Sequence, residues 1–298
     1  MLVTGASGFL GGWLITMAVP SWEVHAVYRK AKYDAHGVHW HRVDLAEEER
    51  ARRIVLDVQS KVVVHAAAEA NLDWCEEHRE EAYAANVLAT RGIARACDEL
   101  GARLLYVSTD MVFDGCKGDY RESDPVNPVS WYGRTKVDAE EVVRSLTRDH
   151  VVVRTALMFG DPILGGTSFS VWLEERVRGG DTVPLFVDQF RTPLLVQNAA
   201  RAILELAERE FRGVLHVAGS DKVDRHTFGR LLAEGLGLDS SRLRPAKLDS
   251  IRLKAPRPRD LSLNISRARS VLRTPLLDLR SAIRELAAWR RGGEGLTL

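Results

Sequence analysis

The sequence predicts an α/β fold, a doubly wound and mostly parallel sheet followed by a smaller C-terminal α/β domain. Three observations carry that expectation. β-rich runs alternate with charged, Ala-rich stretches of helical spacing through the first half of the chain, the pattern of successive βα units. Two of those runs, Val62–Val64 and Leu104–Val107, are continuously apolar, as strands covered on both faces must be. At 298 residues the chain is long enough for two modest domains.

The first strand, Met1–Thr4, runs directly into Gly5-Ala6-Ser7-Gly8-Phe9-Leu10-Gly11 and then an apolar helix. Further strands are expected at Glu23–Tyr28, Val38–Val43, Lys61–His65, Arg103–Val107 and Val151–Thr155, with long helices at Glu76–Leu100 and Trp131–Leu146. The second half is less regular. Helical stretches fall near Phe169–Arg178, Val196–Glu210, His226–Gly235 and Leu279–Arg290, and short strands at Val183–Val187 and Gly213–Val217, separated by loops bearing Gly and Pro. The expected division is a first domain over residues 1–155, rejoined by about 188–218, and a second over 156–298. The tail from Arg291 is expected to fray.

Hydrophobic residues at 45% and charged residues at 28% exclude a collagen-like, low-complexity or largely disordered chain. No apolar run approaches the roughly 20 residues that span a bilayer, and Met1 leads into Leu-Val-Thr-Gly rather than the basic and apolar regions of a secretion signal. Cys75, Cys97 and Cys116 form no CxxC pair, so neither disulfides nor a thiolate metal site is expected, and reducing cytoplasm is the natural compartment. His36, His39 and His41 cluster in HGVHWH. With no carboxylate or cysteine at suitable spacing they read as a half-exposed strand, and no metal is expected.

The net charge of +1 gives no reason to expect a nucleic-acid partner. The total hides an asymmetry. Residues 1–150 carry 18 basic and 24 acidic residues, whereas 151–298 carry 24 and 17. Between Arg242 and Arg273 ten basic residues face only Asp249 and Asp260.

Glycines at 5, 8 and 11 allow a tight turn, a close approach of backbone to a pyrophosphate, and tight packing of helix on strand, which is the Rossmann requirement for a dinucleotide. Unpaired N–H groups at the helix start, around Ser7, Phe9 and Leu10, add a favourable dipole. The second strand ends in Arg29-Lys30, with Lys32 beyond. An NAD site places an acid there for the ribose 2′-hydroxyl, whereas cations suit a 2′-phosphate, so NADP(H) is favoured over NAD(H); the plain alternative is a solvated basic loop. Asp44 and Leu45 after the third strand are placed to meet the adenine. Ala66, Ala67 and Ala68 after the fourth are small enough to line the cofactor.

Tyr132 and Lys136 stand at i,i+4 at the start of a helix, so their side chains share a face. A neighbouring ammonium lowers a tyrosine's pKa from near 10 toward a range useful for proton transfer. Tyr28 and Lys32 repeat the spacing without a helix. What distinguishes the first pair is Ser108-Thr109-Asp110 at the end of the fifth strand, the sheet edge where such folds bind ligands. Either hydroxyl is positioned to hydrogen-bond a carbonyl that Tyr132 protonates; alternatively, Thr109 is a capping hydroxyl.

These residues carry a resemblance. Through TGASGFLG, STD and YGRTK the whole chain resembles the extended short-chain dehydrogenase/reductases. Through STDMVFDG, DPVNPVSWYGRTK, VVVRTALMFG, DQFRTP, GVLHVAG and RPRDLSLN it is most similar to their dTDP-4-dehydrorhamnose reductase branch. The resemblance implies NADPH-dependent reduction of the 4-keto group of a nucleotide-linked 6-deoxysugar. Thr109 would orient the carbonyl, Tyr132 donate the proton, and Lys136 lower the Tyr132 pKa and hold the nicotinamide ribose. Residues 1–155 would bind NADP and the later domain the sugar nucleotide.

Two departures mark the chain. Met111 stands where related 4,6-dehydratases carry a glutamate after the aspartate and where the reductases carry an aromatic residue, and Phe190-Arg191-Thr192 replaces the small residue usual before proline. Ser108, Asp110 and Met111 are therefore candidates for shaping a distinct substrate pocket. Arg257, in Arg257-Pro258-Arg259, and Arg191 are candidates for the substrate diphosphate. Alternative readings are an epimerase or another carbonyl reductase of this fold, or a non-catalytic NADP-binding regulatory subunit. The helices Glu76–Leu100 and Trp131–Leu146 offer faces for a homodimer.

Overall fold

The computed structural model describes residues 1–30, 35–251 and 253–292, so Lys32 and the tail beyond 292 lie outside the described residues. In the first half, strands β1 (Leu2–Thr4), β2 (Val24–Tyr28), β3 (Val38–Arg42), β4 (Val62–His65), β5 (Arg103–Thr109) and β6 (His150–Thr155) alternate with helices α1 (Phe9–Ala18), α2 (Glu48–Val58), α3 (Leu72–Glu77), α4 (Arg79–Tyr83), α5 (Ala89–Leu100) and α6 (Trp131–Leu146). The second half adds β7 (Met158–Phe159), α7 (Phe169–Arg178), β8 (Val183–Phe186), β9 (Phe190–Arg191), β10 (Leu194–Leu195), α8 (Val196–Glu208), β11 (Gly213–Val217), β12 (Val223–Asp224), α9 (Arg225–Gly235), β13 (Leu243–Ala246), α10 (Ser266–Val271) and α11 (Leu279–Gly292).

Seven strands form one parallel sheet in the order β11-β6-β5-β4-β1-β2-β3. The apolar runs are continuous because both faces are covered. Val3, Val64, Leu105 and Val153 enter one core, and Leu2, Val63, Leu104 and Val152 enter the other. The order reverses beside β1, so the turns after β1, β4 and β5 open on one crevice at the carboxyl edge, the ligand position of such sheets.

A third core gathers side chains of α7, β8, α9, β13 and α11, among them Leu173, Leu185, Phe228, Leu243 and Leu286. The chain crosses between cores more than once. α8 packs on α1, β11 pairs with β6, and Leu261, Leu263, Ala268 and Leu272 also pack into a core of the central sheet.

The expected helix Glu76–Leu100 is broken. His78 ends α3 and starts α4, and a π-helical turn over Ala84–Leu88 precedes α5. A π-turn accommodates one extra residue, and here it serves the buried Asn86. The Asn86 side chain accepts from the Glu69 N–H at 2.8 Å and donates to the Glu69 carbonyl at 3.0 Å and to Thr135 Oγ1 at 3.0 Å. Periodicity does not reveal the break, because the bonds that favour it come from residues distant in sequence.

Helix α6 is fixed to the sheet by a buried ion pair. Glu140 Oε1 accepts from Ser108 Oγ on β5 at 2.6 Å and from Arg154 Nε on β6 at 2.9 Å, while Oε2 accepts from Arg154 Nη2 at 2.6 Å. Both charged side chains are almost wholly buried, at 2% and 4% exposure. Removing one partner strands the other charge in a low-dielectric interior. Glu140→Ala is therefore expected to cost about 3–5 kcal/mol in urea unfolding, whereas replacing Glu140 and Arg154 together by Leu and Met costs far less. Equal losses in the two variants would contradict this reading.

Candidate active site

β1 delivers the chain to Gly5 at φ +66°, where a Cβ would lie 2.8 Å from the Ala67 backbone. At Gly11 a Cβ would overlap the Gly5 carbonyl oxygen, so glycine is what lets α1 lie against the turn. The Gly8 N–H donates to the Gly5 carbonyl at 2.9 Å. Phe9 is half-buried against the core and Leu10 is inside it, so their backbone, not their side chains, is what the turn offers.

The turn opens on a cleft of about 300 Å³. Gly5, Ser7 and Gly8 line one end, Ala66, Ala67 and Ala68 another, and Arg29, Lys30, Asp44 and Leu45 the far side. Arg29 and Lys30 are exposed at its rim. The Asp44 carboxylate accepts from the Ala46 N–H at 3.1 Å and so shapes its own turn.

A hydrogen-bond chain that sequence reading did not single out holds the alanine turn. The Ala67 N–H donates to Thr4 Oγ1 at 3.2 Å, which leaves the Thr4 hydroxyl to donate to His65 Nδ1 at 2.6 Å. His65 Nε2 then carries the proton and donates to Thr90 Oγ1 at 3.0 Å, and Thr90 donates to the Asn86 carbonyl at 2.6 Å. Burial, with Lys136 nearby, pushes the His65 pKa down to about 3. His65 is thus a neutral structural group of fixed tautomer.

At the end of β5 the Thr109 hydroxyl accepts from the Met111 N–H at 3.2 Å, capping the short turn that follows, and donates to Asp110 Oδ1 at 3.2 Å. Tyr132 lies beside it. Burial, augmented by the Asp110 charge, pushes the Tyr132 hydroxyl well above its ordinary pKa against the opposing influence of the adjacent Thr109, so Tyr132 carries its proton at neutral pH. Lys136 Nζ donates to the Val107 carbonyl at 2.8 Å and lies 4.1 Å from the Tyr106 ring centroid. Burial pushes the Lys136 pKa down to about 7, with Glu140 opposing.

Thr109, with Tyr132 beside it, and Lys136, held on the Val107 carbonyl, are therefore gathered about the carboxyl end of β5. Ser108 is turned away. Its hydroxyl is committed to Glu140 inside the protein, and Met111 is buried at 7% exposure in the core.

Arg191 is likewise committed. Its guanidinium donates to the carbonyls of Phe190 at 2.6 Å, Pro258 at 3.2 Å and Arg259 at 3.3 Å, with Asp110 Oδ2 at 3.9 Å. It positions the Arg257-Pro258-Arg259 loop instead of projecting freely. Arg257 donates to Asp73 Oδ1 at 3.1 Å and lines a second cavity of about 210 Å³ with Gln189, Phe169, Trp172 and Arg225. Arg225, which the sequence did not single out, lies 3.9 Å from the Phe169 ring centroid. Burial and the Arg191 charge push its pKa down to about 9. Arg225 lies before the late basic segment, and nothing local in the sequence distinguishes it from the chain's other arginines.

A proton-bearing tyrosine, an ammonium and a hydroxyl at the carboxyl edge of this sheet, beside a turn shaped for a dinucleotide, define an oxidoreductase of the extended short-chain dehydrogenase/reductase class. The chain belongs to the family described as the RmlD substrate binding domain, whose model matches residues 1–290. It is 30% identical over 293 residues to the dTDP-4-dehydrorhamnose reductase of Mycolicibacterium smegmatis, covering 97% of this chain and 85% of that one. It is 31% identical over 277 residues to methionine adenosyltransferase 2 subunit beta of Bos taurus, covering 90% and 80%. The fold is shared with dTDP-4-dehydrorhamnose reductase from Bacillus anthracis, solved in complex with NADP, at a TM-score of 0.85 and 22% identity over 96% of this chain and 97% of that one.

Asp110 gives the site a testable signature. It is 4% exposed, its Oδ2 has no hydrogen-bond partner, and burial pushes its pKa up to about 6 against the pull of Arg191. A carboxylate raised in the folded state penalises folding fully above pH 6, and the penalty vanishes below the unfolded value near 4. Asp110→Asn is expected to stabilise the protein by about 1–3 kcal/mol at pH 7.5, with the gain fading as pH falls from 6 toward 4. Urea unfolding across that range checks it, and a destabilised variant at pH 7.5 would contradict it.

Proposed function

We propose that the protein is an NADPH-dependent reductase of the 4-keto group of a nucleotide-linked 6-deoxysugar. The observation that carries this reading is the gathering of Thr109, Tyr132 and Lys136 about the carboxyl end of β5, in a fold that also holds a glycine-turn cleft rimmed by Arg29 and Lys30. Similarity to a dTDP-4-dehydrorhamnose reductase supports it, as does the NADP bound to the Bacillus anthracis structure of the same fold.

The cradle fits a dinucleotide, since the glycine turn, the small side chains of Ala66–Ala68 and the cations Arg29 and Lys30 line one cleft. The turn from Gly5 to Gly11 would hold the pyrophosphate, Arg29 and Lys30 the 2′-phosphate, and Asp44, Leu45 and Ala66–Ala68 the adenosine side. The cofactor, when bound, supplies the hydride that adds to the carbonyl carbon. Thr109 orients the carbonyl oxygen, and Tyr132 gives it a proton as its negative charge develops. Lys136, whose pKa near 7 keeps it partly charged at neutral pH, stabilises the resulting tyrosinate until solvent returns the proton. In this reading residues 1–155, rejoined by about 188–218, hold the cofactor, and the later domain holds the sugar nucleotide. There Arg225 and Arg257 are the cations offered to its phosphates, and Phe169 and Trp172 the aromatic surfaces. Residues 76–100 and 131–146 remain the faces for a homodimer.

The similarity to a methionine adenosyltransferase regulatory subunit favours a second reading, a non-catalytic NADP-binding partner. Turnover separates the two. The wild-type protein is expected to oxidise NADPH with a dTDP-4-keto-6-deoxyhexose, and Tyr132→Phe to lose at least about 100-fold in kcat. Unchanged turnover in the variant would contradict the assignment. Replacing Arg29 and Lys30 together by Ala is expected to raise the KM for NADPH about tenfold or more while leaving that for NADH unchanged, each charged hydrogen bond being worth roughly 1.5–3 kcal/mol. Equal effects on both cofactors would remove these residues from 2′-phosphate recognition.

A further inference from the structure

Away from the crevice, the edge of the sheet gathers imidazoles that sequence spacing left apart from any carboxylate. β3 is the edge strand, and its parallel register with β2 sets His39 opposite His25 and His41 opposite Val27. Side chains two apart on a strand share a face, so Glu23, His25, His39 and His41 all project to one side. Glu23 stands just before β2, and it supplies the carboxylate that the HGVHWH motif lacked.

The donor atoms converge. Glu23 Oε1 lies 3.5 Å from His25 Nε2 and 3.6 Å from His39 Nε2, and among the described residues these three ligand atoms lie within 4.8 Å of one another. Two donors bound about 2.1 Å from a tetrahedral ion stand about 3.4 Å apart, so both pairs with Glu23 already have nearly the separation an ion requires. The His25 and His39 rings stack with centroids 4.8 Å apart and planes at 23°, which limits their motion. His39 and Glu23 are exposed at 59% and 74%, so the remaining coordination position faces water.

An outer group is also in place. His25 Nδ1 and His41 Nε2 lie 3.0 Å apart. With His25 Nε2 directed to an ion, Nδ1 carries the proton and donates to His41, the arrangement that fixes a ligating imidazole in tautomer and orientation. A half-exposed strand without function needs neither this convergence nor the second bond.

We propose that Glu23, His25 and His39 bind one divalent transition-metal ion of the imidazole-seeking class, such as Zn²⁺, with His41 holding His25 in the ligating orientation. The site joins the edge strand to its neighbour through side chains as well as backbone. β2 and β3 lead from it into the cleft, through Arg29 and Lys30 on one side and Asp44 and Leu45 on the other.

The test uses the full chain without a histidine tag, stripped with chelator and titrated with Zn²⁺ or Co²⁺ at pH 7.5. One equivalent is expected to bind with a Kd in the micromolar range, on the order of 10 μM. A hundredfold excess over Kd should raise Tm by roughly 5 °C, and Co²⁺ should show the intense visible absorption of a four-coordinate site. His39→Gln and Glu23→Gln, both at exposed positions that leave the core intact, should each weaken binding at least about tenfold, and His41→Ala about tenfold. Cys116→Ser, which removes the exposed thiol, should leave binding unchanged. Binding weaker than roughly 1 mM, a full equivalent retained in His39→Gln, or loss of binding in Cys116→Ser would each overturn the proposal.

Discussion

The site depends on how helix α6 is seated. Tyr132 and Lys136 occupy its first two turns and Glu140 the next, so the bonds of Glu140 to Ser108 and Arg154 set the helix's position against β5 and β6. One residue beyond Ser108, Thr109 emerges at the sheet edge. A slip of one residue along the helix would rotate each side chain by about 100° and separate Tyr132 from Thr109. The interior pair therefore fixes the relation between the groups at the edge without touching any ligand.

Around that seating, two kinds of surface are built. The first is backbone, where glycines at 5 and 11 let the chain pass so close that no Cβ fits. Thr4, His65, Thr90 and Asn86 then tie the facing alanine turn to the π-helical turn. The second is charge, with Arg29 and Lys30 at one cleft and Arg225 and Arg257 at the other. The chain is nearly neutral overall, yet each of these two cavities has a pair of cations in its lining. The late basic segment is mostly outside these sites; Arg259, for example, is spent on Asp188 and Asp249.

Much of the fold was legible in the sequence because parallel strands buried on both faces have to be continuously apolar, and helix α6 begins and ends where its spacing indicates. The glycine turn after β1 and the shared helix of Tyr132 and Lys136 could be read from residue type and spacing, whereas spacing left Ser108 and Thr109 equivalent and only the resemblance chose between them. What escaped was set by distant partners. Asn86 breaks a periodic helix for the sake of Glu69 and Thr135. Ser108 looks like a site hydroxyl until Glu140 is seen beneath it, and Arg191 looks like a phosphate ligand until three backbone carbonyls claim it. Arg225 comes over Phe169 only through folding, and Glu23 meets His39 only through strand register.

The central claim is that this edge transfers hydride from NADPH to a sugar carbonyl while Tyr132 supplies the proton. The most direct measurement is turnover of a dTDP-4-keto-6-deoxyhexose with NADPH carrying deuterium at both positions of nicotinamide C4, followed by NMR of the sugar product. One deuterium at sugar C4 for each deuteride lost from the cofactor is the predicted result. A product altered without label, or no product at all alongside tight NADPH binding, would contradict the claim.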